Sequence, residues 1–235
     1  MPIPRLTSDP VFPPIDLASP AGILAVGGDL SPRHLLKAYR SGIFPWYEEG
    51  YPVIWWSPDP RCVLFPKKMR ISRSMRQTMR QGTFQITYDH AFRTVMEECR
   101  KPRSDQSGTW ITQDMIEAYE TLHRMGYAHS VEAWKDGMLA GGLYGVSLGG
   151  CFFGESMFTK VSNASKAALI MLVRNLDGLG FEMIDCQVRT DHLISLGAEM
   201  IPRTRFVAVL EDCLQNPTLR GHWGKMAAFR IAIPP

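Results

Sequence analysis

Phe181 to Val188 reads FEMIDCQV, and Cys151 to Phe158 reads CFFGESMF. Each is a short apolar run with a carboxylate set inside it, the pattern of a buried strand with one exception. Burying an unpaired carboxylate costs several kcal/mol, so Asp185 and Glu155 are expected to be paired or to face a cleft. Side chains alternate along a strand, which puts Phe181, Met183, Asp185 and Gln187 on one face and Ile184, Cys186 and Val188 on the other. Alternation likewise groups Cys151, Phe153, Glu155 and Met157. Gly154 marks a bulge, and a bulge there would bring Phe152 and Met157 together in an apolar, deformable pocket with Glu155 at its edge.

Working outward from these two runs, AHSVEAWKD, GMLAGGLYGVSLG and GCFFGESMF form an antiparallel meander, with turns at Asp136–Gly137 and Leu148–Gly150. A long apolar helix over 163–177 leads to FEMIDCQV, a short helix follows over 191–196, and a last strand is expected over 205–210. Upstream, a strand over 83–87 precedes the helix DHAFRTVMEECRK, capped by Asp89, a polar loop PRSDQSGTW and a helix from Thr112 to Met125. The reading is an α+β domain with a mostly antiparallel sheet.

Eleven of the 17 prolines and the tryptophans Trp46, Trp55 and Trp56 lie in the first 60 residues. That composition argues against a regular sheet or a long helix and predicts a small, irregular N-terminal domain over 1–61, with the principal domain over 62–235. One helix stands out inside it: Ser31 suits the cap, Pro32 the first turn, and Gly42 the stop. The aromatic loop after it either packs as a satellite core or offers indoles on which a nucleobase can stack.

The net charge is only +3, yet Lys67, Lys68, Arg70, Arg73, Arg76 and Arg80 fall between Pro66 and Gly82 with no acidic residue. A helix capped by Ser72 or Ser74 would set Met75 and Met79 against the protein and Arg73, Arg76 and Arg80 outward. Such a face is either a solvated surface or a phosphate-backbone contact, and the missing Glu and Asp favour phosphate. No apolar run nears the roughly 20 residues that span a bilayer, and the N-terminus lacks a secretory pattern. A cytoplasmic, monomeric protein without membrane association is expected. Cysteines at 62, 99, 151, 186 and 213 show neither pairing nor metal-ligand spacing, so reduced thiols, no metal and no cofactor are expected. Cys186 points away from Asp185 and Gln187 and reads as a buried structural thiol. His192 reads as a helix-start residue, which leaves a Cys/His hydrolase weakly supported.

GGDLS (27–31), GIFPW (42–46), WWSPDPR (55–61), GTWIT (108–112), GGLYGV (141–146), GESMF (154–158), NASK (163–166), IDCQV (184–188) and SLGA (195–198) occur in order along the chain. Together they resemble the leucyl/phenylalanyl-tRNA–protein transferase family. The resemblance implies a GNAT-like acyltransferase domain. It also implies transfer of Leu or Phe, with some leakage to Met, from aminoacyl-tRNA to proteins that begin with Lys or Arg, marking them for degradation. It makes Arg76 and Arg80, with Arg73 beside them, the acceptor-stem contacts. Trp46 and Trp110 would flank the terminal adenosine. Phe152 and Met157 would line the aminoacyl pocket with Leu143, Leu172 and Leu176, which stand where relatives carry Met or aromatic residues.

In the same family the position of Gln187 is assigned as general base, assisted by that of Asp185. A neutral amide is a poor base, so Gln187 is expected to orient the attacking amine and Asp185 to stabilise its charge. An α-amino group with a pKa near 8 is about one-tenth neutral at pH 7, and the tRNA's own ribose hydroxyl could relay the proton. Glu155 reads as an anionic contact for the acceptor or as half of an internal ion pair. Two other classes compete. An acyl-CoA-dependent N-acetyltransferase needs a glycine-rich pyrophosphate turn, and TKVSNASKAAL (159–169) has no glycine. A nucleic-acid-binding module without catalysis leaves Glu155, Asp185 and Gln187 unexplained.

Overall fold

The computed structural model describes residues 3–101 and 110–229. Residues 102–109 of the polar loop after the third helix, with Gly108 and Thr109 of GTWIT, lie outside them. The N-terminal segment contains β1 (Arg5–Leu6), β2 (Ile23–Gly27), α1 (Pro32–Arg40), β3 (Phe44–Pro45) and β4 (Ile54–Trp56). These strands form a small sheet ordered β1-β2-β4-β3, which corrects the expectation of no regular sheet here. The strands are short enough to fit between prolines, and Pro45 stands on an edge strand, where a missing N–H costs no ladder bond. Ser31 caps α1 by accepting from His34 N, and Gly42 ends that region in left-handed backbone at φ 71°.

The larger sheet has seven strands in the order β11-β5-β10-β9-β8-β7-β6. They are β5 (Arg61–Leu64), β6 (Gln85–Tyr88), β7 (Ala128–Lys135), β8 (Met138–Leu148), β9 (Cys151–Thr159), β10 (Met183–Gln187) and β11 (Glu199–Ile201). Only β9 and β10 run parallel; every other neighbouring pair is antiparallel. The mostly antiparallel α+β class read from the sequence is the class observed. Asp136 and Gly137 both take positive φ, 52° and 74°, as a tight hairpin between β7 and β8 requires.

Helices α2 (Arg73–Arg80), α3 (Phe92–Arg100), α4 (Gln113–Arg124), α5 (Ala164–Gly178), α6 (Asp191–Ser195) and α7 (Arg203–Gln215) complete the fold. One face of the sheet, with Phe153, Met183 and Val63, packs on residues of α1, α3, α4 and α7. The other, with Phe152, Ile184 and Leu143, packs on α2, α5 and the 223–229 segment. Helix α5 is apolar nearly all round, as burial on several sides demands.

Two local expectations fail. Residues 205–210 belong to α7, where Phe206, Leu210 and Cys213 are buried at helical spacing, and the edge strand is β11. Asp89 is not the cap of α3, whose cap residue is Ala91 with no side-chain bond. Asp89 instead is buried at φ 58° and accepts from Ser130 N, Trp223 N and His129 Nδ1.

Candidate active site

The parallel pairing of β9 and β10 ends at Phe153 and Asp185. Beyond that point β9 continues against β8 alone, and Gly145 pairs with Gly154 while Tyr144 pairs with Ser156. Glu155 is therefore the extra residue of a bulge, one position from the glycine that announced it. The bulge reverses the alternation. Phe152 before it and Met157 after it join the same apolar cluster, while Glu155 turns to the opposite side, toward α1 and α4.

Tyr39 Oη donates to Glu155 Oε1 at 2.7 Å, Tyr119 Oη donates to Oε2 at 3.1 Å, and Gln187 Nε2 donates to Oε1 at 2.8 Å. The two tyrosine hydroxyls also hydrogen-bond each other. Among the described residues no Lys, Arg or His bonds to it, so the expected internal ion pair is not what forms. The carboxylate is buried among neutral donors. Burial, opposed by the hydrogen bonds from Tyr39, Tyr119 and Gln187 and aided by the nearby charge of Asp185, pushes its pKa up to about 7. Burial and the charge of Glu155 raise Tyr39 and Tyr119 well above the usual phenol range, which keeps both hydroxyls as donors.

Asp185 lies in a different environment. Arg61 Nε donates to its Oδ1 at 2.8 Å and Arg61 Nη2 to its Oδ2 at 2.6 Å. Gln187 N donates to Oδ1 at 2.9 Å, which braces a left-handed backbone at Gln187 (φ 63°). Asp185 is 0% exposed, against 8% for Glu155 and 7% for Gln187. Its carboxylate is committed to Arg61, so the expected contact between Asp185 and an amine in a cleft is not what the geometry provides; Asp185 touches Gln187 instead. The partner, Arg61, escaped the sequence reading. It lies far away in sequence at the start of β5, and the signal was present only as a lone cation entering the apolar run RCVLF.

Cys186 points to the opposite face, as alternation requires, though it is half-buried rather than fully buried. A hydrogen bond with Cys62, followed by burial, raises its thiol well above the ordinary value, so it is a poor source of thiolate. His192 lies in α6, whose cap is Thr190.

Leu143, Phe152, Leu172 and Leu176 meet in one cluster and are buried there, with Met157 packed at its partly exposed margin. Phe152 has little freedom: a Cβ at Gly145 would come within 2.6 Å of its ring. Trp46 is 38% exposed and leans on Trp56, while Trp110 is partly buried. The loops carrying these two indoles touch, because the Tyr47 and Thr112 hydroxyls are 3.2 Å apart. On α2, Ser72 caps the helix, Met75 and Met79 are buried, and Arg73, Arg76, Gln77 and Arg80 line an open recess. Among the described residues no helix is long and apolar enough to cross a membrane.

The family model described as leucyl/phenylalanyl-tRNA protein transferase matches residues 63–211, and the model of that family's N-terminal domain matches residues 28–59. The leucyl/phenylalanyl-tRNA–protein transferase of Syntrophus aciditrophicus is 59% identical over 224 residues, covering 95% of this chain and 94% of its own. That of Nitrosospira multiformis is 58% identical over 221 residues, covering 93% and 95%. Among solved structures, L-PGS from Bacillus licheniformis is similar at a TM-score of 0.40 and 11% identity, over 80% of this chain and 59% of that one. A GCN5-related N-acetyltransferase from Kribbella flavida is similar at a TM-score of 0.36 and 9% identity, over 73% and 61%. On the family-model match and the relatives' identity, the chain belongs to the leucyl/phenylalanyl-tRNA–protein transferase family and is an aminoacyltransferase.

Proposed function

We propose that the protein transfers Leu or Phe, and Met weakly, from aminoacyl-tRNA to the α-amino group of proteins that begin with Lys or Arg, marking them for degradation. It acts as a cytoplasmic monomer, with residues 1–61 and 62–235 as its two units. The observation that carries the reading is the Gln187 amide. Its Nε2 donates to Glu155, so its carbonyl oxygen is left to accept an N–H from an incoming amine. An aminoacyl ester is already activated, and holding the amine against the ester carbonyl is the principal catalytic demand. Asp185, held in place by Arg61, serves at one remove by accepting from Gln187 N and so fixing the Gln187 backbone.

The remaining parts fit this substrate. The apolar cluster of Leu143, Phe152, Met157, Leu172 and Leu176 suits an unbranched or aromatic side chain that enters past Met157. Such a pocket separates side chains differing by one methylene by only about 1–3 kcal/mol, which accounts for leakage to Met. Trp46 and Trp110 are available to stack the terminal adenosine, and Arg73, Arg76 and Arg80 to meet acceptor-stem phosphates.

The test is single-turnover transfer from Leu-, Phe- and Met-tRNA to a peptide beginning with Arg, followed as amide formation. Wild-type protein should form product. Gln187→Ala should slow it roughly 10²-fold, the scale of a misplaced reactant, and Cys186→Ala should be near normal. Normal transfer by Gln187→Ala, or loss of the chemical step in a folded Cys186→Ala variant, would overturn the assignment.

A further inference from the structure

We infer that Glu155 takes the proton from the acceptor's α-ammonium, with Tyr39 and Tyr119 as the residues that position it. The inference rests on the transfer reading above and adds the group that reading lacks, since a primary amide cannot hold the proton.

Two carboxylates lie at the end of the β9–β10 pair, and their surroundings divide the work between them. Asp185 is sealed, fully unexposed and committed to an ion pair with a guanidinium, so it is not available to a substrate. Glu155 has no Lys, Arg or His partner among the described residues; every group bonded to it is neutral. It is buried as well, yet it keeps a residual 8% exposure beside Gln187 at 7%, where Asp185 has none. A carboxylate held by a permanent cation would be a weak base. One held by two phenols and an amide keeps its affinity for a proton and for an approaching ammonium ion. Divergent environments of neighbouring carboxyl groups are the recurring mark of an acid/base assignment.

The groups that face Glu155 come from every element around it: Tyr39 of α1, Tyr119 of α4, Tyr144 of β8, and Asp185 and Gln187 of β10. Asp185 is the charged neighbour, and it disfavours a second negative charge. The two bonded tyrosines and Gln187 support the ionised form. The balance sets Glu155 to exchange a proton near neutral pH, where a general base is most effective.

The proton balance is complete without another reactant. The α-ammonium gives one proton to the Glu155 carboxylate and becomes a neutral amine, aligned by donating an N–H to the Gln187 carbonyl oxygen. Its nitrogen adds to the ester carbonyl. As the C–N bond forms and the C–O bond to the terminal ribose breaks, the second nitrogen proton goes to the departing ribose oxygen. Glu155 then releases its proton to water. The net products are an amide, a free tRNA hydroxyl and one proton.

The discriminating experiment compares two acceptors, a peptide with an N-terminal Arg and the same peptide carrying an aminooxy terminus, whose nitrogen is already uncharged at pH 7. In single-turnover transfer, Glu155→Gln should slow the Arg peptide by about 10² or more, the usual contribution of a general base, and the aminooxy peptide only a few-fold. Tyr119→Phe should move the midpoint of the pH–rate profile for the Arg peptide upward, because it removes a bond that favours the charged carboxylate. Equal slowing of both acceptors by Glu155→Gln would make its role structural and overturn the inference. So would an unmoved midpoint in Tyr119→Phe, which also serves as the test if Glu155→Gln does not fold. Absence of product from wild-type protein with either acceptor would instead defeat the transfer reading itself.

Discussion

Arg61 and Asp185 form a two-point ion pair inside the sheet, with both side chains at 1% exposure or less. The guanidinium is also sandwiched, 4.7 Å from the Phe44 ring centre and 4.6 Å from that of Phe206. Phe44 comes from the N-terminal segment and Phe206 from α7, so the pair ties three parts of the chain to the strand that carries Gln187.

This pair makes stability and transfer separable. Asp185→Ala leaves a guanidinium buried and unpaired and should cost about 3–5 kcal/mol in urea denaturation. The double change Arg61→Met with Asp185→Leu removes both charges and should recover most of that stability, because a buried pair replaced by apolar groups is often neutral. Transfer should stay low in the double variant, since Gln187 N has lost the acceptor that braces its backbone. Full transfer in the double variant would show that Asp185 has no part in holding Gln187.

What the sequence revealed and what it hid divide along the range of the interactions. The meander, the Gly154 bulge, the Ser31, Ser72 and Thr112 caps and the outward arginines of α2 all follow from neighbours in the chain, and each is seen. Alternation correctly separated Cys186 from Asp185, yet it could not supply Arg61, 124 positions away. Nor could it supply Tyr39 and Tyr119, which lie on two helices and look like ordinary apolar-face tyrosines until the fold brings them to Glu155. Asp89 misled for the same reason: it stands where a cap should stand, but its partners Ser130 and Trp223 are distant. RFVAVLED over 205–212 is β-rich in composition and helical in spacing, and burial of Phe206, Leu210 and Cys213 decides for the helix.

The basic helix offers a cleaner electrostatic test. None of Arg73, Arg76 and Arg80 has an acidic partner among the described ion pairs, whereas Lys68 is paired with Glu199. If Arg76 and Arg80 each neutralise one phosphate, Arg76→Ala with Arg80→Ala should flatten the plot of log affinity for tRNA against log salt by about 1.4–1.8, at roughly 0.7–0.9 per contact. Thermal stability should change little, because Met75 and Met79 fasten the helix from its other side. Binding measured by filter retention across salt concentrations gives the slope, and an unchanged slope would return this face to solvent.

Glu155 should leave a signature on stability as well as on rate. Its folded pKa, about 7, lies above the ordinary 4.5, so the folded state keeps a proton that the unfolded chain has already released. Stability from this group is therefore fully present below the unfolded value and is lost as pH rises between about 4.5 and 7, then stays level. The difference between about 7 folded and 4.5 unfolded corresponds to roughly 3 kcal/mol, at about 1.4 kcal/mol for each tenfold change in proton affinity. Other groups titrate over the same span: burial raises Glu132 and lowers His129, with opposite effects on the slope. Comparing wild-type protein with Glu155→Gln cancels these. The variant, which cannot ionise there, should gain about 3 kcal/mol on wild type between pH 4.5 and pH 7.5 in urea denaturation. Parallel stability curves across that range would mean that Glu155 is already ionised in the folded protein at low pH, and that the tyrosine cradle outweighs the burial of its charge.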